Sequence, residues 1–194
     1  MKRFRLLLGA LLTVAAIGSA QEGPRTPLAE VGLNYSLFHA NSGQGTNEIT
    51  SNGGSGYFVY NVNHVLGVVA DLGAYHNGGV HGAFQNDTTF TYLFGPRFTW
   101  RRSRINPYAQ FLFGGARLSA DTISADGTSI SADRTGFATA AGGGVDIQVT
   151  HHIAIKPIQV EYVMTQIPNF STDRNNFQND LRYSAGVVFR FGQK

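Results

Sequence analysis

From Leu181 to Phe191 the chain reads LRYSAGVVFRF, and this stretch constrains the fold more than any other. Leu181, Tyr183, Ala185, Val187, Phe189 and Phe191 are apolar or aromatic, while Asp180, Arg182, Ser184 and Gly186 between them are polar or small. Val188 departs from the pattern and Arg190 resumes it. A period of two describes a β-strand with one apolar face and one polar face. The apolar face ends on two large aromatics, an arrangement that transmembrane barrels use where they meet the edge of the lipid.

The other end of the chain points to export. Lys2, Arg3 and Arg5 precede an apolar run from Leu6 to Ile17, and Gly18-Ser19-Ala20 follows with small residues. A membrane-spanning helix needs about 20 apolar residues, so the run is too short to be one. Its three-part layout is that of a secretory signal, with cleavage expected between Ala20 and Gln21. Residues 1–20 are thus read as the signal, 21–27 as a short extension and 28–194 as one barrel domain. No cysteine is present, which excludes a lipoprotein anchor, a disulfide framework and a thiolate metal site. Three of the 15 basic residues lie in the signal and none of the 12 acidic ones does, so the exported chain is formally neutral. Nucleic acid is therefore not an expected partner.

Eight segments alternate between turns: about 28–38, 55–62, 65–75, 88–100, 107–119, 136–150, 153–165 and 179–191. Each has about the length a tilted strand needs to cross a bilayer. Their connections alternate as well. Those at 61–64, 101–106 and 150–152 are short, while 40–54, 77–87, 120–135 and 166–178 are long and rich in Gly, Ser, Thr, Asn and Asp. Short turns at one end and long loops at the other are the outer-membrane layout. The fold class expected is all-β: an eight-stranded antiparallel up-and-down transmembrane barrel. A soluble lipocalin-like barrel would carry its apolar face inside.

Folding the hairpins about their loop centres sets Glu161 opposite Arg182 and Arg97 opposite Gln110. Closure of strand one on strand eight brings Glu30 near Arg190. The polar faces then assort into a lower set (Glu30, Arg97, Asp146, Arg190) and an upper set (Asp71, Glu161, Arg182, with Asp180 at its edge). An eight-stranded barrel is just wide enough to be filled by side chains. Charges inside must be paired, because isolated ones are costly to desolvate.

The stretches YLFGPRF (92–98), FGGAR (113–117), GGGVD (142–146) and HIAIKP (152–157), with the terminal strand, resemble the small eight-stranded outer-membrane barrels of the OmpA-like or opacity type. The resemblance covers the whole exported chain. It implies insertion by the barrel-assembly machinery, with Gly186, Phe189 and Phe191 matching the family's C-terminal assembly signal. Gly192-Gln193-Lys194 follow the last aromatic, where many members stop. No peptidoglycan-binding domain follows the barrel, so tethering to the cell wall is not expected.

Other motifs carry less. Gly142-Gly143-Gly144 lacks the lysine and helix of a phosphate loop, and glycines in a small barrel relieve crowding. His39, His76 and His81 have no tight metal-ligand spacing, and His151-His152 read as turn residues. Arg101, Arg102 and Arg104 read as a solvated turn or a contact with anionic headgroups. Barrels resembling the lipid A deacylase carry a His-x-Ser pair, and this chain has none. No catalytic residue, cofactor or metal is expected. The expected partners are outer-membrane lipid and lipopolysaccharide, with the surface partner undefined and a monomer the expected state. The leading reading is a structural or surface-interaction barrel that displays four polar loops. A narrow channel for small solutes or ions is the alternative, and a lipid-modifying enzyme ranks below both.

Overall fold

The computed structural model describes residues 26–40, 49–78, 85–102, 104–123, 129–168 and 175–193. The expected signal and its cleavage point at Ala20 and Gln21 lie outside them. Eight strands follow one another: β1 (Ala29–Ala40), β2 (Ile49–Asn61), β3 (Leu66–Gly78), β4 (Gln85–Thr99), β5 (Ile105–Ile123), β6 (Ser129–Gln148), β7 (Ile153–Pro168) and β8 (Asn175–Phe191). Each pairs antiparallel with the next, and β8 returns to β1 to close the barrel. Closure leaves no sheet edge with unpaired backbone groups, which is what allows strands to span lipid. Among the described residues no helix is long and apolar enough to cross a membrane.

The alternation of the sequence becomes an inside and an outside. Trp100, Phe111, Phe137, Tyr183 and Phe191 are exposed on the outer surface, while Glu30, Asp71, Arg97, Glu161 and Arg182 are buried. This inversion of a soluble barrel suits a hydrocarbon surround. A small apolar cluster including Val59, Leu93, Leu112 and Val163 shares the interior with the charges.

Several strands outrun their expected ends. The β5–β6 ladder continues from Ile105↔Ile147 to Ile123↔Ser129. The first strand pairs with β2 up to Ala40↔Ile49. The long polar connections expected at 40–54, 77–87, 120–135 and 166–178 are therefore partly strand, most of all 120–135, leaving 41–48, 79–84, 124–128 and 169–174 between elements. The physical reason is that polar composition marks where a barrel leaves the lipid, while a hairpin ladder can continue into water on its own hydrogen bonds.

The opposite end is closed by tight turns. Asn63 Oδ1 accepts hydrogen bonds from the amides of Val65 and Leu66, both at 2.8 Å. Thr150 Oγ1 accepts from Ile153 N at 3.0 Å. Both use a short polar side chain to mimic a backbone turn. Thr26 is buried and hydrogen-bonds His64 Nδ1 at 2.8 Å, so the chain before β1 lies against the first turn.

One irregularity matters for the interior. Between Lys156 and Gln159 β7 advances three residues while β8 advances two, from Gly186 to Ser184. The extra residue is a β-bulge, and it falls at Pro157, which has no amide to give to a ladder. A bulge shifts the alternation by one, so Lys156 and Glu161 both face inward despite their opposite parity.

Candidate functional site: the charged lumen

Among the described residues, the buried charged side chains are five acids (Glu30, Asp71, Asp146, Glu161, Asp180) and five bases (Arg97, Arg101, Lys156, Arg182, Arg190). The lumen is thus formally balanced, and its charges are organised in connected clusters.

The upper cluster centres on Arg182. Its Nε donates to Glu161 Oε2 at 2.7 Å, and its Nη1 donates to Asp71 Oδ1 at 3.0 Å and to Tyr75 Oη at 2.7 Å. Glu161 and Arg182 are register partners on β7 and β8, whereas Asp71 reaches across from β3. Glu161 also accepts from Gln110 Nε2 at 2.8 Å and from Gln159 Nε2 at 2.6 Å. One guanidinium fork thereby holds two carboxylates from different strands, the geometry for which arginine is suited. Asp180 is buried one inward position above Arg182.

The middle layer stacks cations on aromatic rings. The Arg97 guanidinium lies over the Tyr108 ring at 3.6 Å, and Lys156 Nζ lies over the Tyr57 ring at 3.8 Å. Arg97 also pairs with Asp146 at 2.5 Å. Lys156 Nζ donates to Gln159 Oε1 at 2.8 Å, and Tyr108 Oη donates to the same oxygen at 2.6 Å. Through Gln159, Glu161 and Arg182, the middle layer is continuous with the upper cluster.

The mouth at the short-turn end holds the third cluster. Arg101 Nη2 donates to Glu30 Oε1 at 2.9 Å and to Asn61 Oδ1 at 2.8 Å, and its Nη1 donates to the carbonyl of His64 at 2.7 Å. Asn61 Nδ2 donates in turn to Glu30 Oε1 at 3.0 Å and to the carbonyl of Pro27 at 2.8 Å.

One sequence expectation is corrected here. Arg101 is not a solvated turn residue. The inward parity of Arg97 and Thr99 carries past the end of β4, so the Arg101 side chain folds back into the mouth, where Glu30 and Asn61 receive it. Arg102 and Arg104 are exposed. Glu30 and Arg190 are register partners at the closing seam, but Glu30 takes its ion pair from Arg101. Arg190 Nη1 donates instead to Gln148 Oε1 at 3.3 Å. Side by side in the ladder, the two project in parallel, while Arg101 approaches Glu30 from below.

Alternation alone could not find Lys156, because the bulge reverses its facing; Pro157 beside it was the available signal. His76 is exposed on the outer surface and hydrogen-bonds Thr88 at 3.3 Å, and His81 lies outside the described residues. Among the described residues no group of three or more His, Cys, Asp or Glu side chains is placed to hold a metal. Arg117 points outward and pairs with Asp133 at 2.6 Å.

Among the described residues no carboxylate lies within 4.0 Å of Lys156, in contrast to the neighbouring Arg97 and Arg182. A buried cation without an ion pair is costly to desolvate, and an apolar replacement of similar shape removes that cost. Its loss leaves Gln159 Oε1 still satisfied by Tyr108. Lys156→Met is therefore expected to raise the urea midpoint of the barrel in detergent. A lower midpoint would show that the cation contributes net stability.

A closed ring of eight strands, apolar outside and ionic within, defines a small transmembrane barrel of the outer-membrane kind. The chain belongs to the outer membrane protein beta-barrel domain family, whose model matches residues 6–193. It is an integral protein of the outer membrane. Membership implies a surround of outer-membrane lipid and lipopolysaccharide and insertion by the barrel-assembly machinery.

Solved structures repeat the fold. Ail, the attachment invasion locus protein of Yersinia pestis, is 17% identical with a TM-score of 0.61, over 84% of this chain and 97% of Ail. Ail in complex with the heparin analogue sucrose octasulfate is 16% identical with a TM-score of 0.62 over the same shares. Neisserial surface protein A is 16% identical with a TM-score of 0.63, again over 84% of this chain and 97% of that one. No curated protein matches the chain.

Proposed function

We propose that the protein is a plugged surface-interaction barrel: a rigid mount that holds polar segments outside the cell. The observation that carries this reading is the filling of the lumen. Arg97, Arg182, Lys156, Leu93, Leu112 and Gln159 are the largest fully buried side chains among the described residues, and all point inward. Ion pairs that cross between non-neighbouring strands, such as Arg182 with Asp71 and Arg97 with Asp146, leave conduction to compete with buried, paired charges. The attachment role in the name of Ail is the kind of role proposed for this chain. The extension of β5 and β6 beyond the apolar belt supports it, because a ladder projecting into water is a stiffer platform than a loop of equal length. Residues 1–20 serve as the export signal, cut between Ala20 and Gln21, and Gly186, Phe189 and Phe191 serve as the assembly signal.

A narrow channel is the competing reading, and planar-bilayer recordings separate the two. The intact barrel is expected to show no large, steady openings. The double variant Arg97→Ala with Arg182→Ala removes both central plugs and is expected to conduct. Steady openings of the unsubstituted protein would overturn the plugged reading.

A further inference from the structure

Gly56, on the lipid face, has no steric reason to be glycine. Gly54 and Gly56 point outward on β2, between positions where the belt elsewhere carries large side chains such as Phe58 and Tyr60. A Cβ at Gly56 would meet nothing nearer than 3.7 Å, and one at Gly54 nothing nearer than 3.3 Å. At Gly142 and Gly186 the same test brings the Cβ to 2.1 Å from a backbone oxygen of the neighbouring strand. Those two glycines are demanded by packing, and Gly56 is not. A glycine inside a strand weakens it and often marks where something else approaches closely.

What the two glycines create is a groove. Register partners across four strands run Leu33, Gly56, Leu72, Tyr92, and the row above runs Tyr35, Gly54, Ala74, Phe90. Gly54, Gly56 and Ala74 form a floor between the wall at Leu33 and the wall at Leu72, Phe90 and Tyr92. The groove is open towards the lipid and holds about 560 Å³.

Its surroundings select the occupant. The groove is continuous with the apolar belt that faces lipid, so hydrocarbon is what reaches it. Phe90 and Tyr92 lie eight to ten residues along β4 from Trp100 at the short-turn end. At ~3.3 Å per residue and a strand tilt of ~40°, that is ~20–25 Å up an apolar band of similar height. The groove therefore belongs to the outer leaflet. Beside Phe90 in the next strand stands Arg117, whose Nη2 is held by Asp133 while the side chain remains 54% exposed. It offers further donors to an anionic headgroup.

We propose that this groove seats one acyl chain of lipid A, the lipid of the outer leaflet. The purified full barrel, titrated in detergent with hexa-acylated lipid A, tests this by native mass spectrometry, with dioleoyl phosphatidylglycerol as the comparison lipid. One lipid A should be retained per barrel, in preference to the phospholipid. Gly56→Phe fills the groove and should weaken retention at least about tenfold, equivalent to ~1.4 kcal/mol. Gly56→Leu should act in the same direction should the larger variant fail to give heat-modifiable gel migration. Ala141→Phe, on the outward face of β6, should leave retention unchanged. Equal retention by the Gly56 variants and the unsubstituted barrel would overturn the proposal, as would equal retention of phosphatidylglycerol. Dimers of the unsubstituted protein that Gly56→Phe abolishes would overturn it in favour of a second copy of the chain as occupant.

Discussion

Arg182→Ala is expected to destabilise the barrel by about 3–5 kcal/mol, the usual result of removing one partner from a buried ion pair. The arginine holds Glu161 and Asp71 together, and both acids remain buried when it is gone. Glu161 keeps its bonds from Gln110 and Gln159, so Asp71 is the more exposed to the loss. Much of the cost is therefore the stranding of charge rather than the worth of the pair. A triple variant that neutralises the site, Arg182→Met with Glu161→Gln and Asp71→Asn, should recover most of it. Urea titration in detergent, followed by the shift between folded and unfolded gel mobility, measures both. A triple variant no more stable than Arg182→Ala would show that the arginine acts through shape rather than charge.

The second large effect lies at the seam. Gly186 on β8 is the register partner of Asn34 on β1, and a Cβ there would come within 2.1 Å of Leu33 O and 2.5 Å of Asn34 Oδ1. Backbone on the facing strand cannot yield as a side chain can. Gly186→Val is expected to cost more than about 3 kcal/mol, at or beyond the upper end for overpacking, and to abolish the folded, heat-modifiable species. The steric and recognition roles of this residue separate in vitro: refolding of purified protein into detergent, with no assembly machinery present, should fail as well. Normal refolding there would assign Gly186 to recognition alone.

Much of this architecture could be read from alternation. The period of two in 181–191 and its seven counterparts defines the strands, and hairpin arithmetic gives the register of Glu161 with Arg182 and of Arg97 with Gln110. Where reading failed, a local event had broken the period. The bulge at Pro157 turns Lys156 inward. The end of β4 hides Arg101: it keeps the inward parity of Arg97 and Thr99, but it lies past the last strand residue, in a dense run of arginines that reads as a turn. The facing of β2 is ambiguous in a segment as rich in glycine as Gly53–Gly56, and the structure turns Ser55, Tyr57 and Val59 inward. Contacts across the lumen, such as Arg182 with Asp71, depend on barrel curvature and have no local signature at all.

Those crossing contacts bear on the order of events in folding. Arg182 and Asp71 are 111 residues apart, Arg101 and Glu30 71, and Arg97 and Asp146 49. No hairpin contains any of these pairs, and the first two gain their geometry only when the ring is shut. Interactions that form after the rate-limiting step slow the reverse reaction and leave the forward one largely untouched. Where ring closure follows the rate-limiting step, the ionic lumen is a latch: it adds little to the speed with which the barrel assembles and much to the lifetime of the barrel once closed.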